Sequence, residues 1–197
     1  MPQPPWPDWL EPPPSFSREE LYVTLREATR AAWLEMLRER EHETFYVFGL
    51  LLSEDGPSLS AVAASKHGLR KLPSATPVSQ DSSEEVMHRL RWLDGEWPYE
   101  VREVFAPVNQ LLAELHQSWS TAASAKLMGE LEVLCCDVLR ELDARGGFVV
   151  QPSRVILGVF GSDEQTRRSI KRLNPAHQTE RVFRDMKRGR ELRRRIG

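Results

Sequence analysis

The sequence predicts an α+β fold, a small, mainly antiparallel sheet made of a hairpin over residues 44–64 plus a strand at 154–160, flanked by several helices. Three observations carry this. TFYVFGLLL and LSAVAA are β-branched, aromatic or small apolar runs of strand length, and SEDGPS between them is a turn signal. VILGVF returns as a third such run far along the chain. The segments around these runs place apolar residues at three-to-four spacing, the period of a helix with one buried face. TFYVFGLLL is almost continuously apolar, so that strand is expected at the centre of its sheet or covered on both faces.

Each element can be justified in order. MPQPPWPDWLEPPPSF holds seven of the fourteen prolines, which removes amide donors and favours an extended arm over residues 1–16. Trp6, Trp9, Leu10 and Phe16 suit an arm laid across its own domain, with a proline-rich ligand for a partner as the alternative. Ser17 and Glu20 form a capping box for a helix to about Arg40, whose stripe is Leu21, Leu25, Ala28, Ala32 and Met36. After the hairpin, Lys71 to Asp81 reads as a loop, and Ser82 with Glu85 as the cap of a short helix ending near Leu93. Pro98 then takes the first position of a helix over 99–117, striped by Val101, Phe105, Val108, Leu112 and Leu115 and kinked at Pro107. A longer helix from Ala122 to Arg145 stops at Gly146 and Gly147, where a left-handed cap costs little. Ser162 caps a helix over 163–173, Asn174 and Pro175 break it, and Thr179 opens a last, basic helix. The division is therefore an arm at 1–16, one α+β domain at 17–175, and a basic helix at 176–197.

Composition excludes several chemistries. With 197 residues, 40% of them hydrophobic and 28% charged, one core forms without metal or disulfide staples. Cys135 and Cys136 are adjacent on a helix, where neighbouring side chains point about 100° apart, so they read as two buried thiols in a reducing compartment. His42, His67, His88, His116 and His177 stand singly, and no CxxC, GxGxxG, GxxxxGK[ST] or GxSxG occurs. No metal and no cofactor are expected. The serine of GVFGSDE reads as a helix cap in preference to an anion site. No apolar run reaches membrane-spanning length and the start lacks a signal-peptide pattern, so a cytoplasmic location is expected.

Charge narrows the partner. The net charge is -2, yet Arg167 to Gly197 carries twelve lysines and arginines against three acids, and the rest of the chain fifteen against twenty-six. The acidic body suits a basic protein partner. The alternative is nucleic acid held by Lys187, Arg188, Arg190, Arg193, Arg194 and Arg195, although the tail lacks stacking aromatics apart from Phe183. RWLDGEWPYE, residues 91–100, is the candidate site. Trp92 is expected in the core and Trp97 half exposed, with Asp94, Glu96, Tyr99 and Glu100 beside it as a partner-binding surface. A carboxylate pair among Asp94, Glu96 and Glu100 is the remaining enzymatic option.

FYVFGLLLSEDG with a small-residue strand after it, the tryptophan pair of RWLDGEWPYE, LRELDARGGF, and VILGVFGSDEQTRRSIKRLNP together resemble the bacterial domain-of-unknown-function family 4303, over about residues 18 to 175. The proline-rich start, the serine- and proline-rich loop and the arginine-rich end depart from its pattern. The resemblance implies no catalytic residue. It implies protein binding, as in the immunity proteins of bacterial toxin systems. The expectation is a non-enzymatic protein-binding protein, of immunity type against a basic toxin.

Overall fold

The computed structural model describes residues 17–53, 58–72, 91–92, 97–117, 121–149 and 154–194, of which 117, 121–125 and 192–194 by their backbone only. The proline-rich arm, the tip of the SEDGPS turn, the serine- and proline-rich loop, the Ser82–Glu85 box, Asp94 and Glu96 lie outside the described residues. Among the described residues six α-helices and four strands follow in order: α1 (Arg18–Glu39), β1 (Phe45–Leu52), β2 (Leu59–Ser65), α2 (Lys66–Arg70), β3 (Tyr99–Val101), α3 (Ala106–Gln117), α4 (Thr121–Ala144), β4 (Ile156–Phe160), α5 (Asp163–Leu173) and α6 (Ala176–Arg194). The sheet order is β3-β2-β1-β4. β1–β2 and β2–β3 are antiparallel, and β1–β4 is parallel. The α+β class and the central place of TFYVFGLLL follow as the sequence predicts.

Alternation along the strands divides the interior in two. Phe48, Leu50 and Leu52 of β1, Ala61 and Ala63 of β2, and Leu157 and Val159 of β4 join apolar side chains of α1, α3 and α4 in the larger core. Trp33 stands in its middle. Its ring packs edge-on against Phe45, Phe48 and Phe148, and its indole N–H donates to the Gly147 carbonyl at 2.9 Å. The opposite face carries Val47, Val62, Ala64 and Phe160, covered by Trp97, Leu69, Ile170 of α5, and Val182 and Met186 of α6. The basic C-terminal helix thus contributes apolar residues to the core.

Side chains close the sheet where it has no further strand. On the free edge of β4, Asn174 accepts from the Leu157 N–H at 3.0 Å and donates to its carbonyl at 2.7 Å. Ser169 does the same for Val159, at 2.9 Å each way. Asn109 pairs both groups of Leu59 on β2. Unpaired strand edges invite further pairing, and α5 and α3 remove that invitation.

Three expectations are corrected. Tyr99–Val101 is a strand, paired with Ala61–Ala63 of β2, and the first position of a helix is not where Pro98 lies. A tyrosine and a β-branched valine two apart satisfy a strand period as well as a helical stripe, and the open edge of β2 decided between them. The helix starts at Ala106, so Pro107 sits in its first turn, where no amide donor is needed, and does not kink it. α6 starts at Ala176, directly after Pro175, ahead of Thr179. The short helix α2, capped by Ser65, has no counterpart in the sequence reading.

Candidate functional site: a cationic cleft at one end of the sheet

Where β1 and β4 begin and β2 ends, the strand ends, the C-terminal end of α1, α2 and one face of α6 enclose a cleft of about 1160 Å³. Among its described lining residues are eight lysines and arginines (Arg38, Arg40, Lys66, Arg70, Lys71, Arg91, Arg154, Arg181), His42 and His67, and four acids (Glu39, Glu41, Glu43, Asp185). Some of these charges are matched: Arg91 with Asp185 at 3.3 Å, Arg154 with Asp143 at 2.6 Å, Arg40 with Glu39 at 3.5 Å, and His42 with Glu41 at 3.3 Å. Among the described residues Arg38, Lys66, Arg70, Lys71 and Arg181 make no salt bridge. The cleft is therefore cationic although the chain as a whole is slightly acidic.

One wall is set by Ser65. Its hydroxyl accepts from the Gly68 N–H at 2.9 Å, capping α2, and donates to Glu43, which also accepts from the Tyr99 hydroxyl at 2.5 Å. Burial works to raise the Glu43 pKa, but the hydroxyls of Ser65 and Tyr99, with His67 and Lys71 nearby, hold it below the ordinary carboxylate range. The Arg40 guanidinium lies 5.2 Å over the Tyr99 ring. Gly68 is required here: a Cβ would stand 2.4 Å from the Tyr99 hydroxyl and 2.7 Å from Pro98. The same contacts that cap α2 thus aim Lys66, His67, Arg70 and Lys71 at the cleft mouth.

The other wall is built on Arg91 and Trp92. The Arg91 carbonyl accepts from the Tyr46 hydroxyl at 2.9 Å and from the Trp97 indole N–H at 3.2 Å. Its guanidinium lies 5.0 Å over the Tyr46 ring, and Trp92 meets Tyr46 edge-on at 5.9 Å. Burial pushes the Tyr46 hydroxyl up, so it stays a neutral donor. Three polar atoms of this wall, Arg91 Nε, Trp92 Nε1 and Gln178 Oε1, are buried without a hydrogen-bond partner among the described residues.

The expected site residues are separated by this arrangement. Trp97 is 8% exposed, with its ring edge-on to Phe160 at 4.6 Å, so the expected half-exposed anchor is a core residue. Trp92, expected in the core, is half-buried and lines the cleft. The reason is the second face of the sheet: Gly49, Gly158 and the Phe160 ring leave a flat surface that Trp97 covers. Tyr99 lines the cleft. Glu100, its neighbour on a strand, points the other way, bonds Ser60 at 2.7 Å and Arg102, and borders a smaller hollow of about 530 Å³. On α6, Lys187 and Arg188 are exposed, Arg190 is held by Asp163 at 2.6 Å, and the side chains of Arg193, Arg194 and Arg195 lie outside the described residues. Arg38, Arg40, Lys66, Arg70 and Arg181 escaped the sequence reading, since each reads singly as an ordinary surface cation. A basic surplus in KHGLRK next to a strand end was the available signal.

Among the described residues of the cleft, the Ser65 hydroxyl is not presented as a nucleophile. Ser65 is fully buried and bonded to Glu43 and Gly68. The thiols lie elsewhere: burial pushes Cys136 up to about 11 and Cys135 well above its ordinary value, so both remain protonated. Among the described residues no group of three or more His, Cys, Asp or Glu is placed to hold a metal ion, and no helix is long and apolar enough to cross a membrane.

Fold and site together define a single-sheet α+β protein with a cationic cleft beside its strand ends. Residues 25–175 match the model of the family described as "Domain of unknown function (DUF4303)", and the chain belongs to this family. Neither the search of curated proteins nor that of solved structures found a match.

Proposed function

We propose that this protein is a non-enzymatic binding protein that takes an acidic segment of another protein into the cleft. The observation behind this reading is the surplus of cations without salt bridges around a half-buried tryptophan and tyrosine. Desolvated aromatic rings ringed by charge are the usual anchors of protein recognition, and like-charge surroundings select the opposite sign. The acids interspersed at Glu39, Glu41 and Asp185 favour a protein segment over a uniform polyanion such as nucleic acid. An immunity-type role against a basic toxin is a separate reading. A basic toxin would engage the acidic body of the molecule, away from the cleft.

Fluorescence anisotropy with labelled polyglutamate, polylysine and single-stranded oligothymidylate of matched length separates the possibilities. Polyglutamate is expected to bind, and Lys66→Glu with Arg70→Glu, both exposed, to weaken it about tenfold or more without unfolding. Tighter binding of oligothymidylate at equal salt would install the nucleic-acid reading, and preference for polylysine the basic-partner one.

A further inference from the structure

Resting on that reading, we infer that the wall formed by Arg91, Trp92 and Gln178 holds the main chain of the bound segment, so that the ligand is an extended acidic peptide and not merely an anion. Buried polar groups are almost always paired, and each exception calls for a reason. Here three exceptions gather on one wall of one cleft: the Nε donor of Arg91, the indole donor of Trp92 and the Oε1 acceptor of Gln178. Two donors require an acceptor and one acceptor requires a donor. An ionised carboxylate and a phosphodiester only accept, whereas each peptide group offers a carbonyl and an N–H at fixed spacing. Gln178 lies two turns before Asp185, which holds Arg91 at 3.3 Å. That separation, about 10 Å, is the length of about three residues of extended chain.

Each of the three atoms is closed to solvent as the cleft stands. A ligand reaches them when the half-buried side chains of Trp92 and Gln178 turn toward the cleft, so binding includes a local rearrangement. The free protein bears these unpaired groups at a cost in stability that binding relieves. A residue kept for packing and a residue kept for binding then differ in the sign of their effect on the free fold.

The test pairs Trp92→Phe, which keeps an aromatic ring without the donor, with Gln178→Leu, which removes the acceptor. Melting temperatures are measured without ligand, and affinities for labelled polyglutamate and for polyacrylate, a polyanion lacking peptide groups, by anisotropy. Each substitution is expected to weaken polyglutamate about fivefold to tenfold, to leave polyacrylate unchanged, and to leave the melting temperature level or raised. Polyglutamate affinities within twofold of the wild type, equal losses for polyacrylate, or a lowered melting temperature with unchanged affinity would overturn the inference alone. Failure of the wild type to bind polyglutamate would remove the cleft reading and this inference with it.

Discussion

Trp97 buries its ring against Phe160, in the cluster that also holds Val47 and Val62, and donates its indole N–H to the Arg91 carbonyl. Replacing it with alanine removes a large core ring and leaves that carbonyl with the Tyr46 hydroxyl only. Trp97→Ala is therefore expected to cost about 3 to 5 kcal/mol in urea unfolding, whereas Trp92→Ala, at a half-buried cleft position, costs about 1 kcal/mol or less. Equal losses would show that both rings are structural. Glu141 gives a second test. The Tyr22 hydroxyl first, then Arg145 and Arg26, hold its carboxyl below the ordinary range against the effect of burial. A carboxylate with a depressed folded pKa adds stability that is full above its unfolded pKa, about 4.3, and is lost as pH falls through the folded value. Wild-type stability should thus decline below about pH 4.3, and Glu141→Gln should lower the neutral plateau and flatten that acid limb, as read by denaturant unfolding across pH. An unchanged acid limb in Glu141→Gln would assign the decline to other carboxylates.

Two glycines separate close packing from propensity. Gly49 of β1 faces Gly158 of β4, and a Cβ there would stand 2.1 Å from the Gly158 carbonyl oxygen and 2.4 Å from the Phe160 ring. Gly129, on the exposed side of α4, has nothing within 4 Å of an added Cβ. Gly129→Ala should stabilise by about 0.5 to 1 kcal/mol through helix propensity, and Gly49→Ala should destabilise strongly or prevent folding. Thermal melts of the two variants side by side check both signs. The long elements were legible because their signals are repeated: a cap and five stripe residues for α1, and the paired glycines that end α4, where Gly146 adopts φ 77°. Tyr99–Val101 was misread because three residues carry too little periodicity to choose, and α2, five residues long, is held by one serine hydroxyl and by packing. Likewise Ser169 and Asn174 look like an ordinary helix interior and a helix break, and only the position of β4 beside them makes them the seal of a sheet edge.

Across the molecule, charge is arranged by folding more than by order along the chain. The basic C-terminal stretch divides: Arg181 faces the cleft, Arg190 is tied to Asp163, Lys187 and Arg188 stay exposed, and Val182 and Met186 go to the core. The cleft draws its cations from the end of α1, from α2, from Arg91, from Arg154 and from α6. No window of sequence contains it. Local chemistry alone was enough for the α+β class, the hairpin and most helix limits, because caps, turns and apolar periods act between residues near in sequence. Packing alone decided which tryptophan is buried, where the sheet edges are sealed and where the unpaired cations meet. Those outcomes depend on the competition of distant segments for one flat face of the sheet and on Coulomb interactions that act through space, irrespective of separation along the chain.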